Sequence, residues 1–87
     1  MKPIQFSNHA RKRMTGRGAT ETEIIQTIQS EAWQPALENK KQAKRSFVYG
    51  LPSPINQQVY AFKTVRVIFV EESDRIVVVT IIVYYGN

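Results

Sequence analysis

A single histidine stands in this chain of 87 residues, and it stands among cations. His9 is followed one helical turn later by Arg13, with Lys12 beside that arginine and Arg17 a further turn on. Histidine is the side chain whose ordinary titration range lies near neutrality, so it can take or give a proton at working pH. Guanidinium groups stay charged and donate in a fork that matches phosphoryl oxygens. RNA cleavage without a metal ion needs this combination. One group moves a proton at the ribose 2′-hydroxyl or the leaving oxygen, and fixed cations stabilise the charge that builds on the phosphoryl group. The plainer reading of the same residues makes His9 a polar member of a first helical turn, hydrogen-bonded to a neighbouring strand.

Other chemistries find less material. The chain has no cysteine, which removes disulfides, thiolate metal sites and a cysteine nucleophile together. A metal site would need carboxylates beside His9, and these lie elsewhere in the sequence with no zinc or calcium spacing. Gly16-Arg17-Gly18 has neither the preceding strand nor the lysine–hydroxyl pair of a phosphate-cradling loop, and reads as a turn between helices. No cofactor is expected. The formal charge is +5 and the sequence pI about 9.8. The first 19 residues hold Lys2, Arg11, Lys12, Arg13 and Arg17 and no acid; Glu21, Glu23, Glu31 and Glu38 follow, and then Lys40, Lys41, Lys44 and Arg45. Segregated charge of this kind favours a polyanion partner, here RNA. The opening residues show no apolar signal region and no run is long enough to span a bilayer, so a cytoplasmic domain without membrane contact is expected.

The elements that would position these groups can be read in order. Ser7 is a good N-cap with Phe6 before it, predicting a helix over about Asn8–Thr15 that stops at Gly16. Thr20 and Glu23 form a capping box for a second helix, with Ile24, Ile25 and Ile28 on its buried face and an end near Glu31 or Ala32. Residues 33–41 lack periodicity and read as a loop. Strands are expected over Lys44–Tyr49, Val59–Phe62, Thr64–Glu71 and Arg75–Tyr85, with Leu51–Asn56 as a proline-bearing loop. The last run is apolar at both parities, which predicts a central strand covered on both sides. A hairpin joining Val65–Val70 to Ile76–Val83 follows from the Glu72-Ser73-Asp74 turn. The class is α+β in a single domain, residues 1–87: two N-terminal helices packed on a mostly antiparallel sheet of three to four strands.

Within that frame Thr80 interrupts an apolar strand, and Tyr84 shares its parity. A hydroxyl in a central strand should be hydrogen-bonded, either locally or within a polar site on the sheet's open face. Arg45 and Tyr49 share a parity in the first expected strand. They would converge near His9 if that strand neighboured the last. Tyr60 and Phe62 could offer stacking surfaces for bases, with core or edge packing as the plainer reading.

The residues Phe6-Ser7-x-His9-Ala10-x-x-Arg13-Met14-x-x-Arg17-Gly18, followed by Thr20-x-x-Glu23-Ile24, resemble an uncharacterised family of small bacterial domains. That family begins with an S-x-H-A-x-x-R-M-x-x-R-G pattern and closes on a strand like Val78-Val79-Thr80-Ile81. It is grouped with the ribonuclease toxins typified by barnase, EndoU, the tRNase colicins and RelE. The resemblance covers both helices and the final hairpin. It implies a RelE/barnase-like fold, a metal-independent ribonuclease toxin of the toxin–antitoxin type, and an acidic antitoxin or inhibitor as protein partner. Residue by residue it points to His9, Arg13 and Thr80 as catalytic and to Arg17 as substrate-binding; Lys12, Arg45, Tyr49 and Tyr84 join the substrate-binding set by charge and parity alone. Ala19 departs from the family's aliphatic residue after Arg-Gly, and residues 51–58 form an extra loop across which the middle strands do not align. Two other readings stand beside the nuclease: a non-catalytic module binding nucleic acid or protein, and a structural protein whose apolar edge strand makes a homodimer or binds an acidic partner.

Overall fold

The computed structural model describes residues 2–87, which form two helices and a five-stranded mixed sheet. The chain runs β1 (Ile4–Phe6), α1 (Asn8–Arg17), α2 (Glu21–Ser30), β2 (Gln34–Pro35), β3 (Lys41–Val48), β4 (Phe62–Glu71) and β5 (Ile76–Gly86). The strand order is β1-β5-β4-β3-β2, with β1 parallel to β5 and every other pairing antiparallel. The α+β class and the β4–β5 hairpin are as the sequence indicates. The sheet has more strands than expected because β1 and β2 are only three and two residues long, too short to carry an alternation pattern.

Ser7 caps α1, its hydroxyl accepting from the Ala10 N–H at 3.0 Å and donating to the Val79 carbonyl at 3.0 Å. One side chain thus starts the helix and ties it to β5. The helix runs through Gly16 and ends at Gly18, which takes the left-handed conformation (φ +82°) and donates its N–H to Met14. The expected stop at Gly16 is therefore two residues early: a glycine inside a helix weakens it without ending it, whereas a left-handed cap ends it. The Thr20–Glu23 capping box of α2 is present in both directions, at 3.1 and 3.0 Å. Ile24, Thr27 and Ile28 are buried on α2, and Ile25 is only half-buried.

Both helices lie on one face of the sheet. Ala10 and Met14 of α1 and Ile24 and Ile28 of α2 close over Ala43, Val65, Val67, Phe69, Ile76, Val78, Ile81 and Val83. Trp33 seals one end, stacking edge-on to Phe69 at 5.0 Å and donating its indole N–H to the Ile28 carbonyl at 2.8 Å, where α2 runs out of internal partners. The segment expected to be a plain loop thus supplies part of the core.

Among the described residues no helix covers the second face, contrary to the expectation that β5 is buried on both sides. Ile68 pairs with Thr80 but Phe69 pairs with Val78, so Val79 is an extra residue in a β-bulge. Core-facing positions are Ile76 and Val78 before the bulge and Ile81 and Val83 after it, while Val77, Val79 and Ile82 are only half-buried. Strand β3 begins three residues earlier than expected, at Lys41, and Val59 makes only an isolated bridge to Pro52. No helix of the described residues is long and apolar enough to cross a membrane.

Candidate active site

Strand β1 ends opposite Val78, so from Val79 onward the outer edge of β5 has no strand beside it. There α1 begins, and His9 in its first turn places Nε2 3.1 Å from Thr80 Oγ1. The bulge makes this contact: the extra residue at Val79 turns Thr80 off the core side, where its strand position would otherwise send it. With Nε2 engaged, Nδ1 has no hydrogen-bond partner among the described residues. It is the ring nitrogen free to handle a substrate proton. His9 is exposed, so a substrate can reach it.

Arg13 lies one turn along α1 on the same stripe, with Arg17 following and Lys12 adjacent. All three side chains are exposed and none has a carboxylate within 4.0 Å among the described residues. The backbone of Arg17 is fixed, since Tyr85 donates its hydroxyl to the Arg17 carbonyl at 2.6 Å.

The open face of the sheet carries the even-numbered residues of β3 and β4 and reaches β5 at Thr80, Ile82 and Tyr84. Arg66 sits at its centre, cross-strand from Lys44 and Ile82, and donates through Nε to Gln42 Oε1 at 2.6 Å. Its register makes it a diagonal neighbour of Thr80, about 7–8 Å away along the sheet. Two recesses flank it. One of about 550 Å³ is lined by Glu31, Gln34, Lys44, Thr64, Arg66 and Tyr84; the other, of about 490 Å³, runs from Leu37 past Arg66 to Thr80. Arg66 and Gln42 escaped the sequence reading. The signal was present: an arginine between Val65 and Val67 must face away from the core or be paired.

Two expected site residues lie elsewhere. Strand β4 separates β3 from β5, so Arg45 and Tyr49 do not converge on His9. Arg45 faces the helix side, donating to Ser30 Oγ at 2.9 Å and lying over Phe47. Tyr49 packs on Tyr85 with ring centroids 5.3 Å apart. Tyr84 is on the open face as its parity indicates, 49% exposed. Tyr60 and Phe62 do not form a paired stacking platform: Phe62 is exposed at the start of β4, and Tyr60 bonds to Asn56 and Gln58 and lies near Tyr85.

Much of the Arg17-Gly18-x-Thr20-x-x-Glu23 segment has a structural role. Lys63, 4% exposed on the helix side, donates to the Gly18 carbonyl at 2.8 Å and pairs with Glu23 at 2.8 Å. Glu23 in turn closes the α2 capping box. The buried ammonium is thereby satisfied, which removes this cluster as a reactive centre. No family model, curated protein or solved structure matches the chain. Its chemistry is read from its own groups: a histidine held through one ring nitrogen, free cations on the adjoining helix, and an open polar sheet face. Among the described residues no three of His, Asp and Glu gather as a metal site would require.

Proposed function

We propose that the protein is an endoribonuclease of RelE/barnase-like fold, acting from the cytoplasm as the toxin of a toxin–antitoxin pair. The observation that carries the nuclease reading is the His9–Thr80 contact at the mouth of the open sheet face, beside Arg13. In the reaction the ribose 2′-oxygen attacks the adjacent phosphorus and loses its proton as the P–O5′ bond breaks. The 5′-oxygen gains a proton, and the products are a 2′,3′-cyclic phosphate and a 5′-hydroxyl. His9 carries one of these two protons through Nδ1, with water or the solvent side completing the other. Thr80 positions the imidazole and does not touch the phosphate. Arg13, assisted by Arg17 and Lys12, binds the phosphoryl oxygens, and the planar guanidinium fork stabilises the charge that builds on them.

RNA follows as substrate because the nucleophile is the 2′-hydroxyl, which DNA lacks. An acidic inhibitor protein would suit the same surface by charge. The test is cleavage of a mixed RNA pool in excess chelator by wild type, His9→Ala and Arg13→Ala, with folding checked by far-ultraviolet circular dichroism. Cyclic-phosphate ends from wild type and their loss in folded His9→Ala support the reading. Folded proteins that bind RNA in a salt-dependent manner and never cut it would replace the nuclease with a binding module.

A further inference from the structure

The twelve basic and seven acidic residues of the chain all lie outside residues 46–62, a stretch without a single charge. Most of that stretch folds as an arm. Beyond Val48 and Phe62 the ladder between β3 and β4 continues, the Tyr49 N–H donating to the Ala61 carbonyl and the Gly50 N–H to the Tyr60 carbonyl, each at 2.8 Å. Pro52 bridges Val59, and the Ser53 N–H donates to the Gln58 carbonyl to close the tip. The arm is braced by the rest of the fold. Tyr49 and Tyr60 pack on Tyr85 with ring centroids 5.3 and 5.7 Å away, and the Ala61 N–H donates to the Asn87 side chain at 2.9 Å. Its side chains reverse the usual order of a surface segment. Ser53 is buried, its hydroxyl accepting from the Ile55 N–H at 3.1 Å, while Val48, Val59 and Leu51 are 86, 62 and 60% exposed and Ile55 and Phe62 stand near half. Val48 and Phe62 are direct cross-strand neighbours. Single exposed apolar residues need no explanation. Five on one uncharged arm leave on the order of 500 Å² of apolar surface, toward the upper end of what a monomer presents.

The missing charge decides what fits there. RNA and an acidic protein gain their binding from lysine and arginine, and the arm has neither. The nearest exposed cation on β3 is Lys44, about 13 Å along the strand from Val48 and beyond a screening length of about 8 Å. Arg45 is turned to Ser30 on the helix side, and Lys63, opposite Phe47, is buried against Glu23. A chain of net charge +5 repels its own copies over most of its surface. On this arm two copies approach without that cost. Aliphatic and aromatic residues with charge depleted are also the composition of an interface centre. One patch that serves both partners makes the two-fold contact of a homodimer. Two such patches together cover about 1,000 Å², the lower limit for a specific interface, so the dimer is weak and reversible. The patch stands about 20 Å from Thr80, the length of β5 from Thr80 to Gly86, which lies opposite Phe62. Both copies therefore keep His9 open.

We propose that the arm of residues 48–62 is a homodimer interface, a second copy of the chain meeting it about a two-fold axis with Val48 and Phe62 at the centre. The interface is independent of the nuclease reading. Sedimentation equilibrium of nucleic-acid-free wild type over about 5–500 µM should show monomer and dimer in exchange, the weak range that so small an interface supports. Added salt should not dissociate the dimer, since no charge pair holds it. On dilution of isotope-labelled protein the amides of Val48, Leu51, Val59 and Phe62 should shift and those of His9 and Thr80 should not, a readout that needs no variant. Val48→Lys, at a position the core does not use, sets like charges together across the axis and should weaken the dimer by about tenfold or more. Leu37→Lys, at an equally exposed apolar residue outside the arm, should leave it unchanged. A monomer throughout the range, dissociation by salt, dilution shifts confined to other residues, or an equal response to the two lysine variants would each overturn the interface. So would a monomer that binds uncharged phosphatidylcholine vesicles through the same amides, which would make the arm a lipid contact instead.

Discussion

At the scale of single residues, the site depends on how one hydroxyl is presented. Thr80 was legible as a polar interruption of an apolar strand, and its pairing with His9 answers where its hydrogen bond goes. The bulge that turns it was not legible, because a change of parity inside an unbroken apolar run leaves no mark in the residue types. If Thr80 positions the imidazole, Thr80→Val should lower kcat by about tenfold, the scale of one hydrogen bond in a transition state, with KM changed less. Thr80→Ser should restore kcat. An equal loss in the serine variant would make Thr80 a packing residue. A second residue reports on pH. Burial, and then the neighbouring Tyr49, push the Tyr85 phenol up to about 12. A folded-state value raised above the ordinary phenol value of about 10 means that its contribution to stability is full below that value and is lost as pH rises toward the folded one. Ultraviolet titration should show one of the four tyrosines ionising last, and Tyr85→Phe should abolish that phase and flatten the alkaline loss of stability. A titration with all phenols together would contradict the partial burial of Tyr85 and its bond to the Arg17 carbonyl.

At the scale of elements, what the sequence conveyed depended on whether a signal was local. Both N-caps were legible because capping is decided by a hydroxyl and the three residues after it. The open second face and the β1–β5 pairing were not, because they depend on contacts some 70 residues apart. The two glycines near the end of α1 show the difference most sharply, since their identity is the same and their conformations are opposite. Gly16 sits inside α1 with nothing within 4 Å of where a Cβ would stand. Gly16→Ala should therefore stabilise the protein by about 0.4–1 kcal/mol, by restricting the unfolded chain and favouring helix. At Gly18 a Cβ would meet Tyr85 Oη at 2.7 Å and Pro54 Cγ at 2.9 Å, in a left-handed backbone. Gly18→Ala should destabilise by at least about 1–2 kcal/mol from the backbone alone, with more from the contacts. Chemical denaturation of both variants checks the pair. Changes of the same sign would mean that α1 ends elsewhere.

For the whole molecule, the segregation of charge along the chain is partly undone by folding. Of twelve lysines and arginines, Lys2, Arg11, Lys40, Lys41, Lys63 and Arg75 stand in ion pairs, and Lys12, Arg13, Arg17, Lys44, Arg45 and Arg66 have none among the described residues. Three of the four glutamates in the acidic stretch are engaged internally, Glu23 with Lys63, Glu21 with Arg11 and Glu38 with Lys40, whereas Glu31 has no ion pair among the described residues. The unpaired cations fall into groups that the sequence could not separate. Three lie along α1 beside His9, Lys44 and Arg66 lie on the open face, and Arg45 turns to the helix side with its guanidinium on Ser30. A single strand crossing from α1 over the open face would meet the first five and miss Arg45. Its affinity should fall with salt, with a log–log slope of about −2 to −4, since each neutralised phosphate contributes roughly −0.7. Removing one cation on the path should reduce that slope by roughly 0.7, so Arg13→Ala and Arg66→Ala should each flatten it. Arg45→Ala should leave it unchanged despite carrying the same charge, and so should Arg75→Ala, whose guanidinium is paired with Glu72 beyond the β4–β5 turn. Fluorescence anisotropy across a salt series separates these variants. A slope that responds to all four alike would mean that RNA is held by diffuse charge, and that the open face beside His9 is not its path.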